Sequence, residues 1–137
     1  MVIALIAVIG VLAATALSGG VDGIRLRAAA KEVAAQLRFT RAQAIATGRP
    51  QRFTIDPAAR TWTAPRDRSG ELPPKVRIVF TGARETQPAR GVGAIVFFAD
   101  GASTGGRIQF AARSAAWNVD VTWLTGEVRL HRGEARQ

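Results

Sequence analysis

A chain of 137 residues, 47% hydrophobic and 21% charged, is long enough for one domain with its own core. It has no cysteine and one histidine, His131, which excludes disulfide staples and any zinc site built on a histidine pair. A net charge of +9 and a pI near 11.7 leave nucleic acid, an anionic membrane surface and an acidic protein open as partners.

The chain opens with an uncharged run, "MVIALIAVIGVLAATAL". As a helix, Met1 to Leu17 spans about 26 Å, slightly short of a bilayer core of roughly 30 Å. Three readings compete. A secretory signal peptide has a weak cleavage look-alike in Ala14-Thr15-Ala16, but the basic n-region is missing. A buried core helix that is apolar all round needs a larger protein around it. A membrane anchor fits the composition best. Ala4, Ala7, Gly10, Ala13 and Ala14 would let helices approach closely, or they are plain apolar filler.

Ser18-Gly19-Gly20 is expected to loosen the helix, and Asp22 to cap a new segment over 22–47. That segment is amphipathic. Leu26, Ala30, Val33, Leu37 and Ala44 form one stripe, flanked by Ala29, Ala34 and Ile45, with Arg25, Arg27, Lys31, Arg38 and Arg41 mostly off it. Gly48 supplies a C′ residue and Pro50 forbids continuation.

From 51 to 132 the hydrophobic period becomes 2. Phe53 and Ile55, then "TWT", then Val76, Ile78 and Phe80 read as short strands. "AIVFF" follows, then Ile108 and Phe110, then the alternation of Trp117, Val119, Val121 and Trp123, then Val128 and Leu130 pointing inward. "APRDRSGELPPK" and "TGARETQPARGVG" read as long loops. This pattern predicts an α+β domain, a long helix packed on an antiparallel sandwich or meander. The division is a helical segment at 1–20 and a folded domain at 21–137.

Gly101-Ala102-Ser103-Thr104-Gly105 spells the G-x-S-x-G of a nucleophile elbow, and Asp120 and His131 follow in hydrolase order. An elbow needs a helix after the serine, whereas "RIQF" reads as a strand. Asp100, Gly101, Gly105 and Gly106 instead suit a hairpin turn. On that reading Ser103 is an exposed turn residue whose loss costs well under about 1 kcal/mol. "GVGAIV" lacks the third glycine of a dinucleotide loop, and no Walker A is present. Asp56 and Asp67 lie in turn-like segments and make no case for glycoside chemistry. No catalytic residue, metal ligand or cofactor is expected.

The segments "LRAAAKEVAAQLRFTRAQAIATGRP", "FFADGASTGGRIQF" and "WNVDVTWLTGEVRL" together resemble the H-type minor pseudopilins of type II secretion. That family includes FimT-type minor pilins and has a type IV pilin-like fold. The resemblance covers nearly the whole chain. It implies a non-enzymatic subunit of a periplasmic filament, anchored once in the bacterial inner membrane with its C-terminal domain in the periplasm. Its implied partners are other major and minor pseudopilins and secreted proteins. Leu26, Ala30, Val33 and Leu37 would hold the helix to the sheet.

Family members are made as prepilins, cut after a glycine and methylated on the new N-terminal residue, with a glutamate nearby. None of these residues stands in this sequence, so none is carried over, and in-frame upstream sequence is expected to supply them. Arg25, Arg27 and Lys31 follow the apolar run on the side the family places in the periplasm, against the positive-inside rule. The alternative reading is a FimT-type pilin that binds DNA for uptake. Arg84 and Arg90 would then serve in the second loop, and Arg129, Arg132 and Arg136 near the C-terminus. The tail "HRGEARQ" offers no aromatic to stack on bases.

Overall fold

The computed structural model describes residues 2–82, 91–112 and 115–134; for residues 2–22 and Glu134 it describes the backbone alone. Helix α1 runs over Val2–Thr47. Eight strands follow: β1 (Gln51–Asp56), β2 (Thr61–Ala64), β3 (Arg68–Glu71), β4 (Arg77–Gly82), β5 (Gly93–Phe97), β6 (Gly106–Ala112), β7 (Ala115–Val121) and β8 (Val128–Glu134).

The helix is continuous through Ser18-Gly19-Gly20, where the sequence suggested a break. A glycine weakens a helix by about 1 kcal/mol but keeps its N–H, so the hydrogen-bond ladder persists. Asp22 is therefore a helical residue and not a cap. The other end closes as the sequence implies. Gly48 has φ 67°, the left-handed C′ conformation, and Pro50 follows. Thr47 Oγ1 donates to the Gln43 carbonyl at 2.7 Å and accepts from Gln51 Nε2 at 3.2 Å, tying the last turn to β1. Met1 and the side chains of the rest of the apolar run lie outside the described residues. Among those described, no helical stretch is long and apolar enough to cross a membrane.

The strands form two antiparallel four-stranded sheets, in the orders β3-β2-β1-β5 and β4-β6-β7-β8. Each is a three-strand meander with one strand added beside its first member. The added strands are exchanged: β4 joins the later sheet and β5 returns to the earlier one. Residues 98–105 therefore cross between sheets. Within them the chain doubles back at Asp100–Gly101 as its glycines suggested, with the Phe98 N–H donating to the Ala102 carbonyl at 2.8 Å and Phe97 bridging Ser103. This tight turn does not make β5 and β6 neighbours, since β5 pairs with β1 and β6 with β4 and β7.

The first of the two supposed long loops contains β3. It is an edge strand with no buried side chain, so alternation could not reveal it. Its Gly70 lies under the Trp62 ring, where an added Cβ would sit 2.6 Å from the indole. In β7 the alternation ends early. Val121 closes the strand, and Trp123 is 66% exposed in the following turn.

One core joins all three layers. Helix α1 touches β1, β2 and β5 of one sheet and β6, β7 and β8 of the other. Phe53, Ile55, Ile95, Phe97, Ile108, Phe110 and Val119 meet the helix stripe there, fully or almost fully buried. Each such large side chain contributes about 1.5–3 kcal/mol through burial.

Candidate functional site

The seam between helix and sheets is the best-built feature of the domain. Leu26, Ala30, Val33 and Leu37 are all buried, and so are Ala34, Thr40 and Ala44. Alanines at 30 and 34 bring the helix backbone close to the strands. Thr40 continues the stripe between Leu37 and Ala44, although its polarity hides it in the sequence. Its hydroxyl donates to the Gln36 carbonyl at 2.7 Å, so burial leaves no polar group unpaired. Ile45, which flanks the stripe in sequence, is 48% exposed, while its neighbour Ala44 on the stripe is fully buried.

Two helix arginines that the periodicity assigns to the outer face in fact tie down the start of β8 and two turns. Arg38 Nη2 donates to the Val128 carbonyl at 3.1 Å. Arg41 Nε lies 3.1 Å from the Gly101 carbonyl and 3.2 Å from that of Thr125. A third tie comes from β3, where Arg68 stacks 3.8 Å from the Phe39 ring centroid. Guanidinium groups suit this role, since they stay charged and offer several donors to backbone oxygens that strands leave unpaired. The signal in the sequence was an arginine pair late in the helix, and nothing there named its acceptors.

The loop that spells G-x-S-x-G is a latch between two turns. Asp100 Oδ1 accepts from the Ala102 N–H at 3.0 Å, and Gly101 and Gly105 hold φ 91° and 73°. Gly106 at φ 153° begins β6. Ser103 is 5% exposed, not the exposed turn residue expected. Its hydroxyl donates to the Thr122 carbonyl and accepts from the Gly105 N–H, both at 2.9 Å, while its N–H donates to the Trp123 carbonyl at 2.8 Å.

Asp120 and His131 do meet, on the face of the later sheet turned away from the helix. His131 Nε2 lies 2.5 Å from Asp120 Oδ2, and Nδ1 lies 3.1 Å from the Arg132 carbonyl. Arg107 grips the same carboxylate with Nε at 2.5 Å and Nη2 at 3.1 Å. Both imidazole nitrogens thus face acceptors, an arrangement that suits the doubly protonated ring. The Asp120 hydrogen bond, helped by the Arg132 carbonyl, raises the His131 pKa above its ordinary value. Partial burial pushes the Asp120 carboxyl up, but the hydrogen bonds and charges of Arg107 and His131 together outweigh it and hold it below the usual range. Neither nitrogen is free to take a proton from a serine, and the Ser103 hydroxyl is held by the backbone. The hydrolase order in the sequence therefore corresponds to no triad.

Of the arginines proposed for DNA, the two described, Arg129 and Arg132, lie on opposite faces of β8. Arg129 lies opposite Asp120 in register, on the outer face, and Nε bonds Glu127 Oε1 at 3.2 Å. Arg132 lies opposite Trp117, on the helix-facing side. Its guanidinium is 5.6 Å from the Trp117 ring centroid, and that of Arg27 is 5.5 Å from it. Arg84, Arg90 and Arg136 lie outside the described residues. Among those described, no group of three or more His, Asp or Glu side chains could hold a metal.

Against known proteins, the sequence profile of the family described as type II transport protein GspH matches residues 29–126. The chain is 63% identical over 129 residues to the type II secretion system protein H of Xanthomonas campestris pv. campestris, covering 94% of this chain and 76% of that one. Its fold is similar to that of the minor pseudopilin EpsH from the type 2 secretion system of Vibrio cholerae. That match has TM-score 0.64 and 16% identity, over 79% of this chain and 97% of that one. It is similar also to the type IV minor pilin FimU of Pseudomonas aeruginosa, with TM-score 0.62 and 14% identity, over 80% and 90% of the two chains. The pilin-like architecture of one helix against antiparallel sheets is thus shared, and the family match runs from the buried helix stripe to the last turn: the chain belongs to the GspH family of type II transport proteins and is a minor pseudopilin of type II secretion.

Proposed function

We propose that this chain is a load-bearing subunit of a periplasmic pseudopilus, assembled with other pseudopilins and held in the inner membrane by its apolar N-terminal run before assembly. The observation that carries this reading is a single 46-residue helix whose C-terminal half is sealed under two sheets. Its N-terminal half has a composition that avoids water. In a filament, the apolar halves of neighbouring subunits would pack together while the sheets coat the outside. Pulling on the helix would load the seam at Leu26, Ala30, Val33 and Leu37 and the Arg38 and Arg41 ties.

The test is removal and complementation. A strain lacking this gene should lose type II secretion, read as a secreted enzyme missing from the medium, and the intact gene should restore it. Cross-linking should trap the chain with other pseudopilins. Normal secretion in the deletion strain together with lost DNA uptake would replace this reading with the DNA-binding one. In a DNA titration at near-physiological salt, we expect only charge-driven binding, with Kd about 10⁻⁴–10⁻⁶ M. Changing Arg129, Arg132 and Arg136 to Gln should weaken it only in proportion to charge. Tight binding abolished by that triple change would overturn the filament reading.

A further inference from the structure

We propose that the base of the domain carries a binding site for the phosphate headgroup of an anionic phospholipid, built from Arg27, Trp117 and Arg132. The proposal rests on the filament reading, because it needs the apolar run to lie in a bilayer. A groove of about 690 Å³ opens between the Gly23–Arg27 turn of α1 and the β7–β8 edge. Arg27, Trp117 and Arg132 line it together with Ile24, which is 70% exposed. Among the residues whose side chains are described, no carboxylate lines it.

On the other side of the same helical turn, Arg25 shares a smaller cleft with Lys75. Arg25 also borders a cleft containing Glu32 and Glu71, so its charge is partly balanced. Among the described side chains, the basic groups that share a groove with no carboxylate are Arg27 and Arg132.

Position selects the ligand. Leu17 to Arg27 is about 15 Å along a helix, and helical side chains lean toward the N-terminus, here toward the apolar run. That brings Arg27 to the edge of the headgroup layer, where tryptophan is also favoured. A guanidinium offers a phosphate two parallel donors, and the indole beside it holds the fork in place. The arrangement also accounts for basic residues on the side of the membrane that the positive-inside rule disfavours. They meet lipid phosphates there in place of cytoplasmic ones.

The experiment uses the full chain in nanodiscs of phosphatidylcholine, with or without phosphatidylglycerol. Lipids brominated near the headgroup serve as quenchers of tryptophan fluorescence. Trp62 is 5% exposed, and Trp123, though 66% exposed, lies beyond the end of β7 opposite the groove, so groove-bound lipid quenches Trp117 and Trp117→Phe should abolish that quenching. We expect quenching that requires phosphatidylglycerol and fades with salt. Each basic residue near an anionic surface strengthens binding roughly fivefold. Arg27→Gln with Arg132→Gln should therefore weaken the phosphatidylglycerol dependence about 25-fold, with an unchanged circular dichroism spectrum. Equal quenching in pure phosphatidylcholine, or none in either disc, would overturn the proposal. Duplex DNA that binds more tightly than phosphatidylglycerol through the same two arginines would replace the lipid by nucleic acid. Secretion restored to the deletion strain by the wild-type gene tests the filament reading separately, so failure of one is distinguishable from failure of the other.

Discussion

The Ser103 hydroxyl donates to the Thr122 carbonyl across the seam between two turns that are 19 residues apart in the chain. The same oxygen accepts from the Gly105 N–H, so one side chain satisfies two backbone groups. The Thr122 carbonyl also accepts from the Gly126 N–H at 2.8 Å, so the group left without a partner is the Gly105 N–H, at a cost of about 1–3 kcal/mol. Ser103→Ala should lower stability by about that amount, with the urea midpoint shifted and the slope unchanged. A midpoint within error of wild type would mean that water replaces the hydroxyl.

The neighbouring glycines differ in what a side chain would strike. At Gly101, φ is 91° and an added Cβ would approach Arg41 Nη2 to 2.7 Å, a flexible side chain that can yield only by loosening its hydrogen bonds to the Gly101 and Thr125 carbonyls. Gly101→Ala should cost about 1–2 kcal/mol from backbone strain and the weakened Arg41 tie. At Gly126, φ is 70° and the added Cβ would run into the Gly101 carbonyl oxygen, which cannot move without its loop. Gly126→Ala should cost about 3 kcal/mol or more. Thermal melts of the two variants give the comparison, and equal losses would count against the clash.

Much of this architecture was legible because it follows from period and punctuation. Leu26 to Leu37 recur at helical spacing, Phe53 and Ile55 alternate, and Gly48 with Pro50 can only end a helix. What stayed hidden depends on partners distant in sequence. The exchange of β4 and β5 between sheets leaves no mark on either strand, so nothing in the sequence showed that the tight turn at Asp100–Gly101 leads across to the other sheet. Ser103 looked exposed because turns usually are, and its burial comes from Trp123 and Thr122 in another turn. Trp123 continued an alternation whose strand had already ended. Arg41 read as surface charge because a carbonyl acceptor has no sequence signature.

The helix seam leaves little room for change in either direction. Leu37→Ala should cost about 2–5 kcal/mol by opening a cavity under both sheets. Ala30→Leu should cost about 1–3 kcal/mol by forcing helix and strands apart. Both residues are fully buried. Chemical denaturation of each variant is the check, and the two losses should add only in part, because the positions share neighbours.

The Asp120–His131 pair predicts a pH dependence with two arms. His131 has a raised pKa, so its contribution to stability is fully present below the ordinary value of about 6.5 and is lost as pH rises through the higher folded value. Asp120 has a lowered pKa, so its contribution is present above about 3.9 and is lost as pH falls through the lower folded value. The side chains are 43% and 29% exposed, so both effects should be modest and shrink with added salt. Proton NMR of the single imidazole should show a midpoint above that of a free histidine. Asp120→Asn should bring it down, because the remaining charge beside the ring is then the positive Arg107. His131→Gln should flatten the decline in stability above about pH 6.5 and leave the acid arm in place, since Arg107 still holds the carboxylate. An imidazole midpoint unmoved by Asp120→Asn would mean that the pair does not form in solution.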